Sequence, residues 1–233
     1  MKIYSEQAKK YLTLTQNDPI KEFSQRPTIL SLLGNLGKNV LDIGCGNGIL
    51  DQLLINNGYC VVGFDNSKEQ IILAKQNCPK GRLFMADQNS FSCEKKFDCV
   101  IAVLVLMHSK NNKELLHFFQ CAKDNLKPSG KFVGMVYNEN FNHFNSPYYG
   151  RIWRKLPNQK IEVSFLNPNN KLLTKTTARN IGHTEYGATA NAVGFNKLTW
   201  HPLVITKEGL NTLGDDYWSE YKQDCPYTCF IAS

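Results

Sequence analysis

Val40-Leu41-Asp42-Ile43-Gly44-Cys45-Gly46-Asn47-Gly48 decides how the rest of the chain is read. Asn39 to Ile43 has the composition of a buried parallel strand, and it runs straight into three closely spaced glycines. Glycines at such a turn admit left-handed dihedrals and let a ligand approach bare backbone. Ile49, Leu50, Leu53 and Leu54 then recur at helical spacing, and Gly58 stops that helix. The first turn of the helix offers N–H groups without intrahelical partners. A dinucleotide fingerprint would read G-x-G-x-x-G, and a P-loop would add Lys followed by Ser or Thr. This turn reads G-x-G-x-G and has neither feature. Its acid, Asp42, precedes the first glycine by two residues. A carboxylate there suits a ligand with a positive ammonium better than one with a pyrophosphate.

Outward from the turn, short β-rich runs alternate with helical patterns, as in parallel βαβ units. Tyr59 to Phe64 reads as a second strand ending at Asp65, and Ser67 can cap a helix carrying Ile71, Ile72 and Ala74. Gly81 to Met85 reads as a third strand and Cys99 to Leu106 as a fourth. The stripe Leu115, Leu116, Phe118, Phe119, Ala122 and Leu126 predicts a helix over 113–126. A turn at Leu126-Lys127-Pro128-Ser129-Gly130 leads into a fifth strand, Lys131 to Tyr137. The rhythm then breaks. A hairpin (Lys160 to Leu166, Lys171 to Thr177) and a short helix near Tyr186 to Ala192 fill the next stretch. Phe195 to Ile205 and Tyr227 to Ala232 read as final strands flanking a helix from Lys207 to about Tyr221.

The fold expected is α/β: a doubly wound, mostly parallel, seven-stranded Rossmann-like sheet with an antiparallel last strand and a small cap inserted after strand five. It divides into an N-terminal helical lid (1–38), a ligand-binding core (39–137), a cap (138–194) and C-terminal strands completing the sheet (195–233).

Three acids fall at the ends of successive strands, the edge where open α/β sheets bind ligands. Asp42 closes the first. Asp65 stands about 20 residues past the glycine turn, where an acid accepts both hydroxyls of a ribose. Asp87, with Gln88 beside it, follows Leu83-Phe84-Met85-Ala86 and can read the edge of adenine.

On these residues the chain resembles the class I S-adenosylmethionine (SAM)-dependent methyltransferases. Asp42 to Gly48 matches the glycine motif, Asp65 the ribose acid and Ala86-Asp87-Gln88 the adenine-reading segment. Phe97 to Val103 matches the fourth-strand motif beside the methionine moiety, and Leu126 to Lys131 the turn before strand five. The resemblance implies that Tyr11, Asp42, Gly44, Cys45, Gly46, Asp65, Asn66, Asp87, Gln88, Ala102 and Val103 hold SAM. The tail is similar to small-molecule methyltransferases of the toxoflavin-biosynthesis type through Gly194-Phe195, Trp200-His201-Pro202-Leu203, Glu208-Gly209-Leu210, Tyr217-Trp218 and Pro226. Tyr4, Ala8 and Tyr11 share one helix face and resemble that group's lid helix.

Methyl transfer needs a base only where the acceptor must lose a proton. His108, after the fourth strand, is the first candidate, followed by His143 and His183 in the cap; His201, before Pro202, reads as structural.

Composition narrows the alternatives. With 233 residues, 42% hydrophobic and 20% charged, the chain can bury a sizeable core. The longest apolar run, Val100 to Met107, is far shorter than a membrane helix, and the N-terminus has no signal-peptide pattern. Eight scattered cysteines without a CxxC pair point to reduced thiols and no metal, hence the cytoplasm. The expected partner is a small-molecule methyl acceptor, handled by a monomer or homodimer. Seven basic residues between Arg151 and Asn180, against one acid, Glu162, form either a solvated surface or a face for an anionic substrate or a nucleic acid, which leaves open an RNA methyltransferase. A catalytically silent SAM-binding protein is a third reading.

Overall fold

The computed structural model describes residues 18–233. A π-helical segment (Lys21–Gln25) runs into α1 (Arg26–Leu33), whose Pro27 occupies the first turn, where its missing N–H leaves no bond unmade. There follow β1 (Asn39–Ile43), α2 (Ile49–Asn56), β2 (Cys60–Asp65), α3 (Lys68–Asn77), β3 (Arg82–Met85) and β4 (Phe97–Val103). A 3₁₀ turn (Leu106–His108) leads to α4 (Asn112–Asn125) and β5 (Leu126–Tyr137). Next come β6 (Pro147–Tyr148), β7 (Arg151–Leu156), β8 (Lys160–Leu166), β9 (Leu172–Arg179) and α5 (His183–Ala192). The chain closes with β10 (Leu198–His201), α6 (Lys207–Gln223) and β11 (Tyr227–Ala232).

Seven strands form one sheet in the order β10-β11-β5-β4-β1-β2-β3. β5, β4, β1, β2 and β3 run parallel, and β11 is antiparallel to both of its neighbours. This is the doubly wound, mostly parallel sheet expected from the sequence, with its antiparallel last strand. The inserted cap after β5 is a four-stranded antiparallel sheet, β6-β7-β8-β9. Val40, Leu41, Ile43, Val100 and Ile101 are fully buried, because helices cover both faces of the central strands. Side-chain caps start the helices as their sequences demand: Ser67 Oγ accepts the Gln70 N–H at 3.2 Å, and Asn111 Oδ1 accepts the Glu114 N–H at 2.9 Å.

Several boundaries differ from the sequence reading, each for a local reason. The fourth strand ends at Val103 because Leu104 takes φ +57° and turns the chain off the sheet. The expected turn before strand five lies inside β5 as a bulge. Leu126 pairs with Phe97 and Lys131 with Cys99, so 127–130 loop out between them. The third strand begins one residue later than expected, at Arg82. Only Leu198–His201 of the 195–205 stretch is strand, and Pro202, which has no N–H for a ladder, follows its end. α5 starts at His183, and α6 contains a kink at Gly214 (φ 81°, ψ 160°). β6 and β7 were not foreseen. The rhythm of Arg151-Ile152-Trp153 is masked by the charged Arg154-Lys155 pair that follows.

Candidate active site

The glycine turn is built by close packing. Gly44 has φ +74°, and a Cβ there would lie 2.7 Å from the Val105 side chain. A Cβ at Gly48, also at φ +74°, would lie 2.9 Å from the Ala74 backbone, so the glycine lets α2 seat against α3. Gly46 (φ +55°) differs, since nothing nearer than 4.0 Å stands where its Cβ would be. Its bare backbone faces an opening.

That opening is a cavity of about 420 Å³ at the C-terminal edge of the sheet. Asp42, Gly44, Cys45, Gly46, Asp65, Asn66, Gln88, Val103 and His108 line it, bringing together nine residues singled out from the sequence. Asp65 anchors the turn, its Oδ2 accepting the Gly46 N–H at 3.0 Å and its Oδ1 the Ser67 N–H at 2.8 Å. Burial raises its pKa, opposed by those two N–H bonds. Asp42 is 2% exposed and its Oδ1 has no hydrogen-bond partner. Asp51, on α2, is fully buried with both carboxylate oxygens unpartnered. Burial raises both pKa values, that of Asp51 to about 7, and for Asp42 the neighbouring Asp51 adds to the shift. Two buried carboxylates side by side, one opening on the cavity, make a site that a cation would relieve.

Other expected residues fall elsewhere. Asp87 does not line the cavity: its Oδ1 accepts the Asn89 and Ser90 N–H groups, both at 2.9 Å, and holds the turn that presents Gln88. Ala102 is fully buried and does not line the cavity. Tyr4, Ala8 and Tyr11 lie outside the described residues.

A second cavity, about 250 Å³, adjoins the first and shares Lys21, Gln70, Leu104 and His108 with it. Its far wall is the cap sheet, with Arg151, Val163, Phe165 and Thr176, and Tyr137 and Tyr227 close it from the core. His108 thus stands at the junction. It is accessible through the cavities, yet the surrounding protein mass lowers its pKa, partly opposed by a hydrogen bond to the Thr177 backbone. An imidazole fixed in this way stays neutral near pH 7 and keeps one nitrogen for a proton. His143 and His183 reach neither cavity. His143 Nε2 bonds Ser146 Oγ at 2.8 Å. His183 stacks on Trp200 at 3.7 Å between ring centroids and meets Glu139 at 3.1 Å.

Lys21, Gln25, Arg26, Gln70, Leu104, Glu114 and Phe118 complete the first cavity and were not singled out from the sequence. Phe118 left a trace in the helical stripe, and Glu114 in the capping pattern Asn111-Asn112-Lys113-Glu114. Four of the seven basic residues of the 151–180 run are ion-paired, while Lys155, Lys160 and Lys171 are exposed. Arg151 pairs with Asp18, Arg154 and Lys175 with Glu162 (3.6 and 2.8 Å), and Arg179 with Glu185 (2.7 Å). Among the described residues all eight cysteines are free, no three His, Cys, Asp or Glu side chains cluster as metal ligands would, and no helix is long and apolar enough to cross a membrane.

Known proteins resemble the chain in sequence and in fold. The chain is 31% identical over 128 residues to a ubiquinone biosynthesis O-methyltransferase of Rhodopseudomonas palustris, covering 53% of this chain and 49% of that protein. The counterpart from Haemophilus ducreyi is 35% identical over 107 residues, 42% of this chain and 44% of that one. The chain thus spans about half the length of the curated relatives it matches. In fold it resembles a SAM-bound amino pentose methyltransferase from Micromonospora echinaspora (TM-score 0.66, 16% identity, 89% of each chain). Streptomyces venezuelae DesVI is similar too (TM-score 0.64, 15% identity, 95% of this chain and 94% of that one). The methyltransferase domain model matches residues 14–189, most of the chain including the glycine turn, β1 to β9 and the cap, and the chain belongs to that family.

Proposed function

We propose that this chain is a SAM-dependent methyltransferase acting on a small molecule, with the cofactor in the first cavity and the acceptor in the second. The observation that carries this reading is the convergence of Asp42, Asp65 and the open backbone of Gly46 on one cavity, with Asp42 Oδ1 buried and unpartnered. An orphaned buried carboxylate fits a cationic ligand and opposes a phosphate.

SAM supplies a methyl group on a sulfonium, an activated leaving group. Asp42, backed by Asp51, balances the ammonium of the methionine moiety. Asp65 and Asn66 take the ribose hydroxyls. Gln88 reads the adenine edge, with Asp87 holding the turn behind it, and Ala102 and Val103 floor the methionine end. The 1–38 segment serves as the lid, in line with Lys21, Gln25 and Arg26 lining the same cavity, and Tyr11 is its candidate cofactor contact. The 138–194 cap builds the acceptor wall on the 39–137 core, and residues 195–233 complete the sheet.

The acceptor's lone pair forms the new bond to the methyl carbon while the carbon–sulfur bond breaks, its electron pair staying on sulfur. Holding the two reactants in line supplies much of the acceleration, at best roughly 7–11 kcal/mol. Where the acceptor atom carries a proton, His108 accepts it. The enzyme works in the cytoplasm, where free thiols persist. Kinship with the toxoflavin-biosynthesis type is supported by the tail, where the fully buried Trp218 donates to the Gly209 carbonyl at 2.9 Å and so ties two of the matched segments together.

Calorimetric titration with SAM and S-adenosylhomocysteine tests this reading. Micromolar binding that Asp42→Asn weakens about tenfold or more is expected. No binding of either compound overturns it. Binding without turnover across a broad acceptor panel would favour a silent SAM-binding protein.

A further inference from the structure

The two cavities differ in charge, and the difference bears on the acceptor. Three carboxylates (Asp42, Asp65 and Glu114) stand in the wall of the first against two cations. The second is lined by Lys21 and Arg151, is bordered by Lys175, and has no Asp or Glu in its wall. Strand register explains how the cap achieves this. Phe165 lies opposite both Arg151 and Thr174, while Glu162 lies opposite Arg154. Side chains alternate across a strand, so Phe165 and Glu162 face opposite sides of the cap sheet. Arg151, Phe165 and Thr174 form a row on the inner face. Glu162 sits on the outer face, where it draws the Lys175 ammonium at 2.8 Å. Asp18 pairs with Arg151 from outside the wall.

Resting on the methyltransferase reading above, we propose that the second cavity takes a small acceptor bearing an oxyanion group, a carboxylate or a phosphate, seated toward Lys21 and Arg151 with its apolar body against Val163, Phe165 and Tyr137. An acceptor amine held as ammonium would meet the Lys21 and Arg151 cations there, with Asp18 standing behind Arg151 and not in the wall. An anion is drawn in, and the cationic donor next door adds to the attraction. A volume of about 250 Å³ limits the body to about one ring.

The test uses full-length protein saturated with S-adenosylhomocysteine, titrated with benzoate, phenyl phosphate, benzamide and benzylamine. One or both anions should bind at least about tenfold more tightly than benzamide, and benzylamine should be weakest. Comparing the two anions separates carboxylate from phosphate. Lys21→Met should cost the anion about tenfold and Lys21→Arg should restore most of it, with benzamide unmoved. Benzylamine binding as well as the anions, no probe binding at all, or an unchanged anion affinity in Lys21→Met overturns the proposal. Failure to bind S-adenosylhomocysteine in the first place would instead sink the methyltransferase reading on which it rests.

Discussion

Asp65 Oδ2 accepts the backbone N–H of Gly46 at 3.0 Å, so one carboxylate ties the end of β2 to the turn that follows β1. The second oxygen holds the Ser67 N–H at the start of α3. The group therefore shapes the cofactor cavity as well as facing it. Replacing Asp65 with alanine removes two charge-assisted bonds and, on the proposed reading, the acceptor for the ribose hydroxyls. SAM affinity should fall roughly 10–100-fold, since each such bond is worth about 1.5–3 kcal/mol. Asp65→Asn keeps the shape with one acceptor oxygen and should fall between. Calorimetry reads both, and wild-type affinity in Asp65→Ala would remove Asp65 from the site.

The Asp42–Asp51 pair gives a pH dependence whose sign is set by burial. Both folded-state pKa values are raised, so the folded protein holds protons that the unfolded chain has released. This contribution to stability is fully present below the unfolded carboxylate value near 4, and it is lost as pH rises toward and through about 7. Asp65 and the Cys45 thiol also face the pair, and neither adds a positive charge. A cationic ligand favours the ionised pair and should displace a proton. SAM affinity should therefore rise between pH 5.5 and 8, by at most about tenfold per pH unit. Asp51→Asn should flatten that slope and raise the melting temperature relative to wild type more at pH 8 than at pH 5. A steeper slope in the variant would refute the coupling.

His108 follows the opposite logic. Burial lowers its pKa, so the neutral form prevails down to below the ordinary 6.5. With an acceptor that must lose a proton, kcat should rise with pH with its midpoint below the ordinary histidine value near 6.5. His108→Gln should cut kcat by roughly 10²–10⁴ while leaving SAM affinity within a few-fold. Retention of most of the wild-type kcat would leave His108 without a catalytic part.

The sequence made the centre of this molecule legible because local chemistry dictates it. A buried strand, three glycines with positive φ and acids at successive strand ends are features of short segments, and Asp42, Gly46 and Asp65 meet where their spacing says they should. Asp87 stands at a strand end, a place that is the same whether its carboxylate faces a ligand or caps its own turn. Only the Asn89 and Ser90 N–H bonds separate the two. Lys21 could not be found from sequence, and Arg151 showed there only as one member of the basic run. Each reaches the second cavity through tertiary packing, one from a π-helical segment and one from a strand without a clean alternation. The basic run read as a surface for the same reason: the carboxylates of Asp18 and Glu185 that engage it lie outside it.

Gly134 and Phe230 are directly opposed across β5 and β11, and the Phe230 ring lies over the glycine. A Cβ at Gly134 would sit 2.2 Å from Phe230 Cε1, so an alanine there forces the ring away. Phe230 is fully buried and packs against Phe132 at 5.3 Å and Phe119 at 5.8 Å between centroids, which leaves the ring no free rotamer to occupy. Gly134→Ala should destabilise the protein by roughly 1–3 kcal/mol through overpacking. For a chain of this size each kcal/mol lowers the melting temperature by about 2–4 °C. SAM affinity should be little changed, because neither residue lines the cofactor cavity. Phe230→Leu alone should also destabilise, by opening space among the aromatic rings, yet in the double variant the smaller side chain makes room for the methyl group. The two changes should therefore cost less together than the sum of each alone. Additive losses in thermal unfolding would mean that the glycine is held for some reason other than the ring above it.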